Sequence, residues 1–178
     1  MTKRLDFGPI TGYTESKGIC NVPKGGAEVR PEDLDYETGD VSKLTGMTGK
    51  MLRYWDDTGL FPASGRSGDG ERGQGTRRLW SFRDVIVLRA ITRLRAEGIT
   101  THRIRRALDY LRRSFPELDG DFAGVVFVVW GVDVVALPPG ETMPISIVKA
   151  QGQRVLAVPV DSVRAEVAQI VRDLGWVA

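Results

Sequence analysis

The chain of 178 residues has very few of the side chains that build metal or disulfide sites. It contains one cysteine, Cys20, and one histidine, His102. A single cysteine excludes an internal disulfide and a thiolate-rich metal cage. We therefore expect both residues to be ordinary surface side chains, and we predict no metal site and no cofactor.

Long apolar runs are also missing. The longest run, residues 125–137, is interrupted by Asp133 and is too short for a helix to cross a bilayer core of roughly 30 Å. The first residues, Met-Thr-Lys-Arg-Leu-Asp, lack the apolar stretch of a secretory signal. We expect a cytoplasmic protein with no membrane partner.

Enzyme motifs are absent as well. The sequence has no Gly-x-Ser-x-Gly and no His-Glu-x-x-His. Gly49-Lys50 resembles the end of a phosphate-binding loop, but Met51 stands where that loop needs Ser or Thr. Asp56 and Asp57 are adjacent, so they point to different sides of a helix and are expected on a solvated surface. We predict no catalytic residues and no enzymatic activity.

Positive charge is concentrated in the middle of the chain, although the net charge is only +2. Residues 41–113 hold 16 basic and 7 acidic side chains, whereas residues 1–40 hold 5 and 8 and residues 119–178 hold 4 and 7. A basic segment between mildly acidic ends is typical of a phosphate-binding module within a longer chain. This distribution favours nucleic acid as a partner.

Two short helices are predicted at the start of the basic segment. The first covers residues 40–44, with Thr38 or Gly39 as its start and Gly46 as its stop. The second covers residues 49–58, with Thr48 as its cap and Gly59 as its left-handed end. Two short helices joined by a tight turn that contains glycine form a helix-turn-helix unit.

A glycine-rich segment, residues 62–76, follows the second helix and is predicted to be a loop. The flanking sequences Leu60-Phe61 and Arg78-Leu79-Trp80 are predicted to pair as two short strands. The loop is then the tip of a β-hairpin wing.

Two longer helices follow the wing. Ser81 and Asp84 form a capping box that opens a helix running to about Glu97, with apolar residues at a spacing of three. A fourth helix is predicted with Thr100 or Thr101 as its cap, and it ends before Pro116. Its predicted inward residues are Ile104, Leu108, Leu111 and Phe115, and its predicted outward residues are Arg103, Arg105, Arg106, Arg112 and Arg113.

The end of the chain is rich in valine and other β-branched residues. Strands are predicted over residues 125–130, 132–136, 145–149 and 155–160, and a last helix over residues 162–174 with Asp161 as its cap. A unit this small is near the lower size for independent folding, so we expect it to lean on the preceding part or on a second copy of itself.

The predicted fold class is therefore α+β with three parts. Residues 1–35 have no apolar period and are predicted to be a mobile extension. Residues 36–116 form a winged helix-turn-helix of four helices plus a β-hairpin wing, and residues 117–178 form a small ββββα domain.

Residues 36–115 resemble the DNA-binding head of MerR-type transcription regulators. The sequence has Met-Leu-Arg-Tyr-Trp-Asp-Asp-Thr-Gly-Leu and Arg-Arg-Leu-Trp-Ser-Phe-Arg-Asp, where that family has Thr-Leu-Arg-Tyr-Tyr-Glu-x-x-Gly-Leu and Arg-x-Tyr-x-x-x-Asp. Trp55 and Trp80 replace tyrosines, Thr38 replaces Ile, and Met51 removes a hydroxyl expected near the DNA. The later Gly-Ile-Thr-Thr-His-Arg-Ile-Arg-Arg-Ala is similar to an actinobacterial branch that includes regulators of cell-division genes.

The resemblance implies sequence-specific binding to double-stranded promoter DNA at an inverted repeat. It also implies a homodimer formed through the C-terminal domain, contact with RNA polymerase and association with the nucleoid. The second helix enters the major groove with its first turn towards the bases. The predicted DNA-binding residues are Ser42, Lys43, Thr48, Lys50, Arg53, Tyr54, Arg77 and Arg78.

Two other functions stay open at this point. In the first, the chain is an antitoxin or adaptor whose C-terminal αβ domain binds a partner protein, with DNA binding secondary. In the second, the chain senses a ligand in a pocket lined by Trp130 and the apolar strands, although core packing is the expected use of Trp130.

Overall fold

The structure is a computed structural model that describes residues 29–67, 77–118, 122–131, 133–141 and 155–177. Within these ranges the chain forms five α-helices and two antiparallel sheets of three strands each. The predicted mixture of helix and sheet is confirmed. Residues 1–28 of the predicted extension and the strand predicted over 145–149 lie outside the described residues.

The helix-turn-helix consists of α1, Thr38–Thr45, and α2, Gly49–Asp57. Helix α1 begins at Thr38, one of the two predicted starting residues, and Glu37 before it is in extended conformation. Gly46 ends it with a φ of 77°, in the left-handed region that favours glycine. As predicted, Thr48 caps α2: its hydroxyl accepts a hydrogen bond of 3.3 Å from the Met51 amide.

The first sheet contains β1, Tyr36–Glu37, β2, Gly65–Ser67, and β3, Arg77–Trp80, in the order β1-β3-β2. The prediction of a strand at Leu60-Phe61 was wrong. Both residues are buried, and the Phe61 ring stacks on that of Trp80 with 6.4 Å between centroids. Burial of these two large apolar side chains in the core is favourable, whereas a strand of the wing would leave them more exposed to solvent.

Helix α3, Phe82–Ala96, begins with the predicted capping box, in which Ser81 and Asp84 exchange hydrogen bonds of 3.2 and 2.9 Å. It buries more than the predicted stripe, because Ile86, Val87 and Ala90 are also enclosed. Helix α4, Thr101–Ser114, buries Ile104, Leu108 and Leu111 as predicted, while Phe115 is only partly buried. Of its arginines, Arg103 is half-buried and lies 3.1 Å from Asp133.

The second sheet contains β4, Val126–Trp130, β5, Asp133–Leu137, and β6, Val155–Pro159, in the order β5-β4-β6. Helix α5, Val160–Asp173, follows β6 directly. The prediction that Asp161 caps this helix was wrong: Asp161 lies inside the first turn, and its carboxylate accepts a hydrogen bond of 3.2 Å from the Gly124 amide. It thus ties the helix to the start of β4.

One buried apolar cluster runs through both parts of the chain. Helix α5 packs against α3 with Val163, Val167 and Val171, so the C-terminal unit leans on the head, as expected. Leu34, which the sequence assigned to the mobile extension, is buried behind a 3-10 helix at Pro31–Asp33. Among the described residues, no helix is long and apolar enough to cross a membrane.

Candidate nucleic-acid interface

Helix α2 is amphipathic and presents one polar face to solvent. Its inward side buries Leu52 and Trp55. Because residues three and four apart lie on the same side of a helix, the exposed positions form one continuous face. The residues of this face are Lys50, Arg53, Tyr54 and Asp57.

The first turn of α2 gathers the features that favour phosphate. The first amides of a helix have no acceptor within the helix, and the helix dipole is positive there. In α2 the Met51 amide donates to Thr48, and the amides of Gly49 and Lys50 precede it. Lys50 lies in this turn. The Arg53 guanidinium also lies towards it, since a Cβ atom placed on Gly49 would be 3.8 Å from Arg53 Nη1. Tyr54, 61% exposed, presents its ring and hydroxyl to solvent on the same face.

Asp56 anchors the wing to α2. Only 2% of this residue is exposed. Its carboxylate accepts hydrogen bonds from the Ala63 amide at 3.0 Å, from Arg66 Nη2 at 2.9 and 2.7 Å, and from Arg78 Nε at 2.5 Å. The prediction that Asp56 is solvated was wrong, because the strands of the wing cover it and supply its partners.

The Asp56 carboxylate is ionised although it is buried. Burial alone would raise the pKa of the carboxyl group, but the hydrogen bonds from Ala63, Arg66 and Arg78 outweigh burial and lower the pKa. The carboxylate therefore stays ionised and holds two arginines on the wing strands.

The two wing arginines predicted to bind DNA already have partners within the protein. Arg78 bonds Asp56 and also reaches Asp57 on the exposed face of α2, at 2.8 Å from Nη2. The hydrogen bond to Asp56 is the main cause that raises the pKa of Arg78. Arg77, more exposed, lies 2.7 Å from Glu37 on the neighbouring strand. The wing strand thus borders the α2 face through the Arg78–Asp57 contact.

The predicted residues of α1 have other neighbours. The Ser42 hydroxyl donates a hydrogen bond of 2.6 Å to the Met47 carbonyl and closes the turn between α1 and α2. Lys43 lies 3.7 Å from Asp40 and 5.9 Å above the Trp176 ring. The structure thus brings Thr48, Lys50, Arg53 and Tyr54 together on α2, with Arg78 beside them. Ser42 instead bonds the turn after α1, and Lys43 lies near Asp40 and Trp176.

The residues that differ from the family pattern contact other residues of the fold. The Trp80 indole donates to the Thr38 hydroxyl at 3.5 Å, so two of the replaced positions contact each other. Trp55 and Trp80 are both buried. The Met51 sulfur lies 2.7 Å from Arg95 Nη1 of α3. The side chain at this position, where the family has Thr, therefore lies close to α3.

Sequence reasoning missed Asp56 and Arg66. The helical spacing contained a signal for Asp56, since Leu52, Trp55 and Asp56 lie at i, i+3 and i+4 and so share the buried side. Arg66 gave no signal, because its partner lies ten residues away across a turn.

The comparison with known families matches the region built from these elements. Residues 36–111, from β1 into α4, match the family described as MerR HTH family regulatory protein. The chain carries a MerR-family helix-turn-helix domain. The α2 face and the wing both lie inside this MerR-family domain, and β4, β5, β6 and α5 lie after it.

Curated relatives extend beyond the MerR-family domain. Uncharacterized HTH-type transcriptional regulators of Mycobacterium tuberculosis and Mycobacterium bovis are 29% identical to this chain, over 96% of its length and 76% of theirs. The nodulation protein NolA of Bradyrhizobium elkanii is 29% identical over 47% of this chain and 35% of its own length. The similarity to the mycobacterial regulators therefore includes the C-terminal unit.

No acidic, histidine or cysteine side chains of the described ranges cluster in groups of three or more that could hold a metal ion.

Proposed function

We propose that this chain is a transcription regulator that binds double-stranded DNA in a sequence-specific manner. The observation that carries the proposal is the exposed face of α2, where Lys50, Arg53 and Tyr54 lie together at a capped helix start. This face borders a wing that Asp56 fixes in place. The MerR-family domain and the relatives named as transcriptional regulators support it.

The residues of the α2 face have different roles in this proposal. An α-helix fits the major groove, and a helix-turn-helix places the first turn of its second helix at the base edges. Lys50 in that turn reads bases, while Arg53 and the Tyr54 hydroxyl contact phosphates and fix the register. Arg77 and Arg78 on the wing face flanking phosphates, and Thr48 orients the first turn.

The functional form in this proposal is a homodimer on an inverted repeat, joined through the C-terminal unit. Two-fold symmetry of the protein then matches two-fold symmetry of the promoter site. Bound beside a promoter, the dimer contacts RNA polymerase.

The proposal is tested by selecting binding sites for the full chain from a library of random duplexes, followed by footprinting. We expect one enriched motif with inverted half-sites whose centres lie roughly 34–36 Å apart or a multiple of that distance. A single half-site would overturn the dimer, and the absence of any enriched motif would overturn sequence-specific binding.

Two variants separate the roles within the α2 face. Lys50→Ala should reduce the preference for the selected site over random DNA by about tenfold. Arg53→Ala should weaken binding to both DNAs by similar factors. Arg30→Ala, which removes an exposed arginine that lies before the MerR-family domain and outside the C-terminal unit, is the matched control and should bind both DNAs as the unmodified chain does.

A further inference from the structure

A groove lies between α3, β6 and Glu166 of the last helix, and its lining includes no residue of the α2 face or of the wing strands. Its volume is about 440 Å³. One wall carries Arg89, Thr92 and Arg93 of α3, and the opposite wall carries Leu156 and Val158 of β6. Its volume is within the range of about 300–1,000 Å³ that small-molecule sites occupy.

One carboxylate in this groove forms ion pairs with two arginines. Glu166 of α5 bonds Arg89 Nη2 at 2.7 Å through Oε1 and contacts Arg93 Nη2 through Oε2. Arg89 and Arg93 lie one helical turn apart on α3, their guanidinium groups meet at this carboxylate, and only 14% of the Arg89 side chain is exposed. Glu97 also lines the groove, one turn beyond Arg93. The positive charge is thus confined to the Arg89–Arg93 end, next to the aliphatic wall of β6.

We propose that this groove binds a small organic anion with an apolar body. The anionic group takes the place of the Glu166 carboxylate between Arg89 and Arg93, and the apolar body lies on Leu156 and Val158. Guanidinium groups bind oxyanions such as carboxylate and phosphate through paired, charge-assisted hydrogen bonds. Both arginines project from α3, which is buried on most of its sides, so the site is positioned before the ligand arrives.

Binding at this site changes the joint between the two parts of the chain. Glu166 links α5 to α3, and α3 also packs against α1 of the helix-turn-helix. An anion that displaces Glu166 removes this link. An effect of the anion on DNA affinity rests on the proposed function, so the binding test is made without DNA and its failure is distinct from a failure of DNA binding.

The test titrates the full chain with the fluorescent probe 8-anilinonaphthalene-1-sulfonate, with neutral N-phenyl-1-naphthylamine as the matched probe without charge. Glu166→Gln removes the competing carboxylate and should tighten binding of the sulfonate by about tenfold. Arg89→Gln and Arg93→Gln should each weaken it by about tenfold, the change expected when a hydrogen bond to a charged group is lost. The neutral probe should bind all variants equally.

Controls keep the result interpretable if a variant is poorly folded. Asp173→Asn on α5 and Arg105→Gln on α4 remove exposed charges away from the groove and should change neither probe. A loosened core would raise binding of both probes, so an equal gain for the neutral probe in Glu166→Gln overturns the proposal. A sulfonate affinity unchanged by Glu166→Gln or by the more exposed Arg93→Gln also overturns it.

Discussion

Asp56 determines how the wing is held against α2. It is a buried carboxylate that receives donors from three different residues of the wing segment. Removing one member of such a set leaves the other charges without their partner, and this is more costly than the net contribution of the intact set. The orientation of the wing strands relative to α2 thus depends on a single buried side chain.

Asp56→Asn should lower the free energy of unfolding by about 2–3 kcal/mol, because Arg66 and Arg78 lose their ionic partner while remaining partly buried. Asp57→Asn is the matched control. Asp57 also contacts Arg78, but it is 58% exposed, and its loss should cost less than about 1 kcal/mol. Denaturant unfolding measures both values, and equal costs would contradict the anchoring role of Asp56.

The same residue predicts a dependence on pH. Burial acts to raise the pKa of Asp56, but its hydrogen bonds lower the pKa below that of the unfolded chain, which is about 3.9. A carboxyl group of this kind stabilises the fold above the unfolded pKa and loses that contribution as pH falls through the folded pKa. The stability difference between the unmodified chain and Asp56→Asn should be constant near neutral pH and shrink below about pH 4. A difference that does not shrink in acid would contradict this.

Among the elements, α3 and α4 begin with different caps. The Ser81 side chain accepts the Asp84 amide and completes a capping box, whereas Thr100, at the equivalent position of α4, makes no side-chain cap hydrogen bond. Ser81→Ala should therefore lower the free energy of unfolding by about 1 kcal/mol, and Thr100→Ala should change it little. Thermal unfolding of the two variants measures this contrast. A larger loss for Thr100→Ala than for Ser81→Ala would refute the assignment of the caps.

The helices could be predicted from the sequence because their signals are local. Gly46, Thr48 and the Ser81–Asp84 pair act within one turn of the helix that they begin or end. The wing strands could not be placed, because strands of two to four residues have too few alternating positions to reveal a period. Leu60 and Phe61 therefore looked like a strand, although tertiary packing draws them into the core.

In the candidate site, too, local features could be predicted from the sequence and contacts between distant residues could not. The resemblance to the MerR head pointed to Lys50, Arg53 and Tyr54 on the second helix, and the structure shows all three exposed on one face of α2. The partners of Asp56 could not be found, since Arg66 and Arg78 are 10 and 22 residues away and meet it only after the wing has folded. Ser42 illustrates the opposite case, because a hydroxyl can close a turn as readily as it can face DNA.

At the scale of the whole molecule, the C-terminal unit and the MerR-family domain share a core. Val167 on α5 is fully buried, and α5 packs against α3. At the end of the chain, the Trp176 ring lies 6.2 Å from that of Tyr36, at the start of the domain. Stability of the DNA-binding part is therefore expected to depend on residues outside it.

Val167→Ala tests this dependence by creating a cavity between α5 and the domain, with a cost of about 1–2 kcal/mol. Hydrogen exchange followed by mass spectrometry should show faster exchange in peptides of α1 and α3 as well as in α5. Lys50→Ala, on an exposed position, is the control and should leave exchange in the core unchanged. Faster exchange confined to α5 would mean that the two parts unfold separately.

The most direct measurement of the central claim is the affinity of the full chain for duplex DNA across a series of salt concentrations. If the α2 face and the wing neutralise phosphates, the logarithm of the association constant falls linearly with the logarithm of the salt concentration, by about 0.9 for each phosphate. We predict a steep slope for the unmodified chain and for the control Arg30→Ala, and a slope shallower by about 0.9 for Arg53→Ala. A flat salt response, or the same slope for Arg53→Ala, would contradict the account.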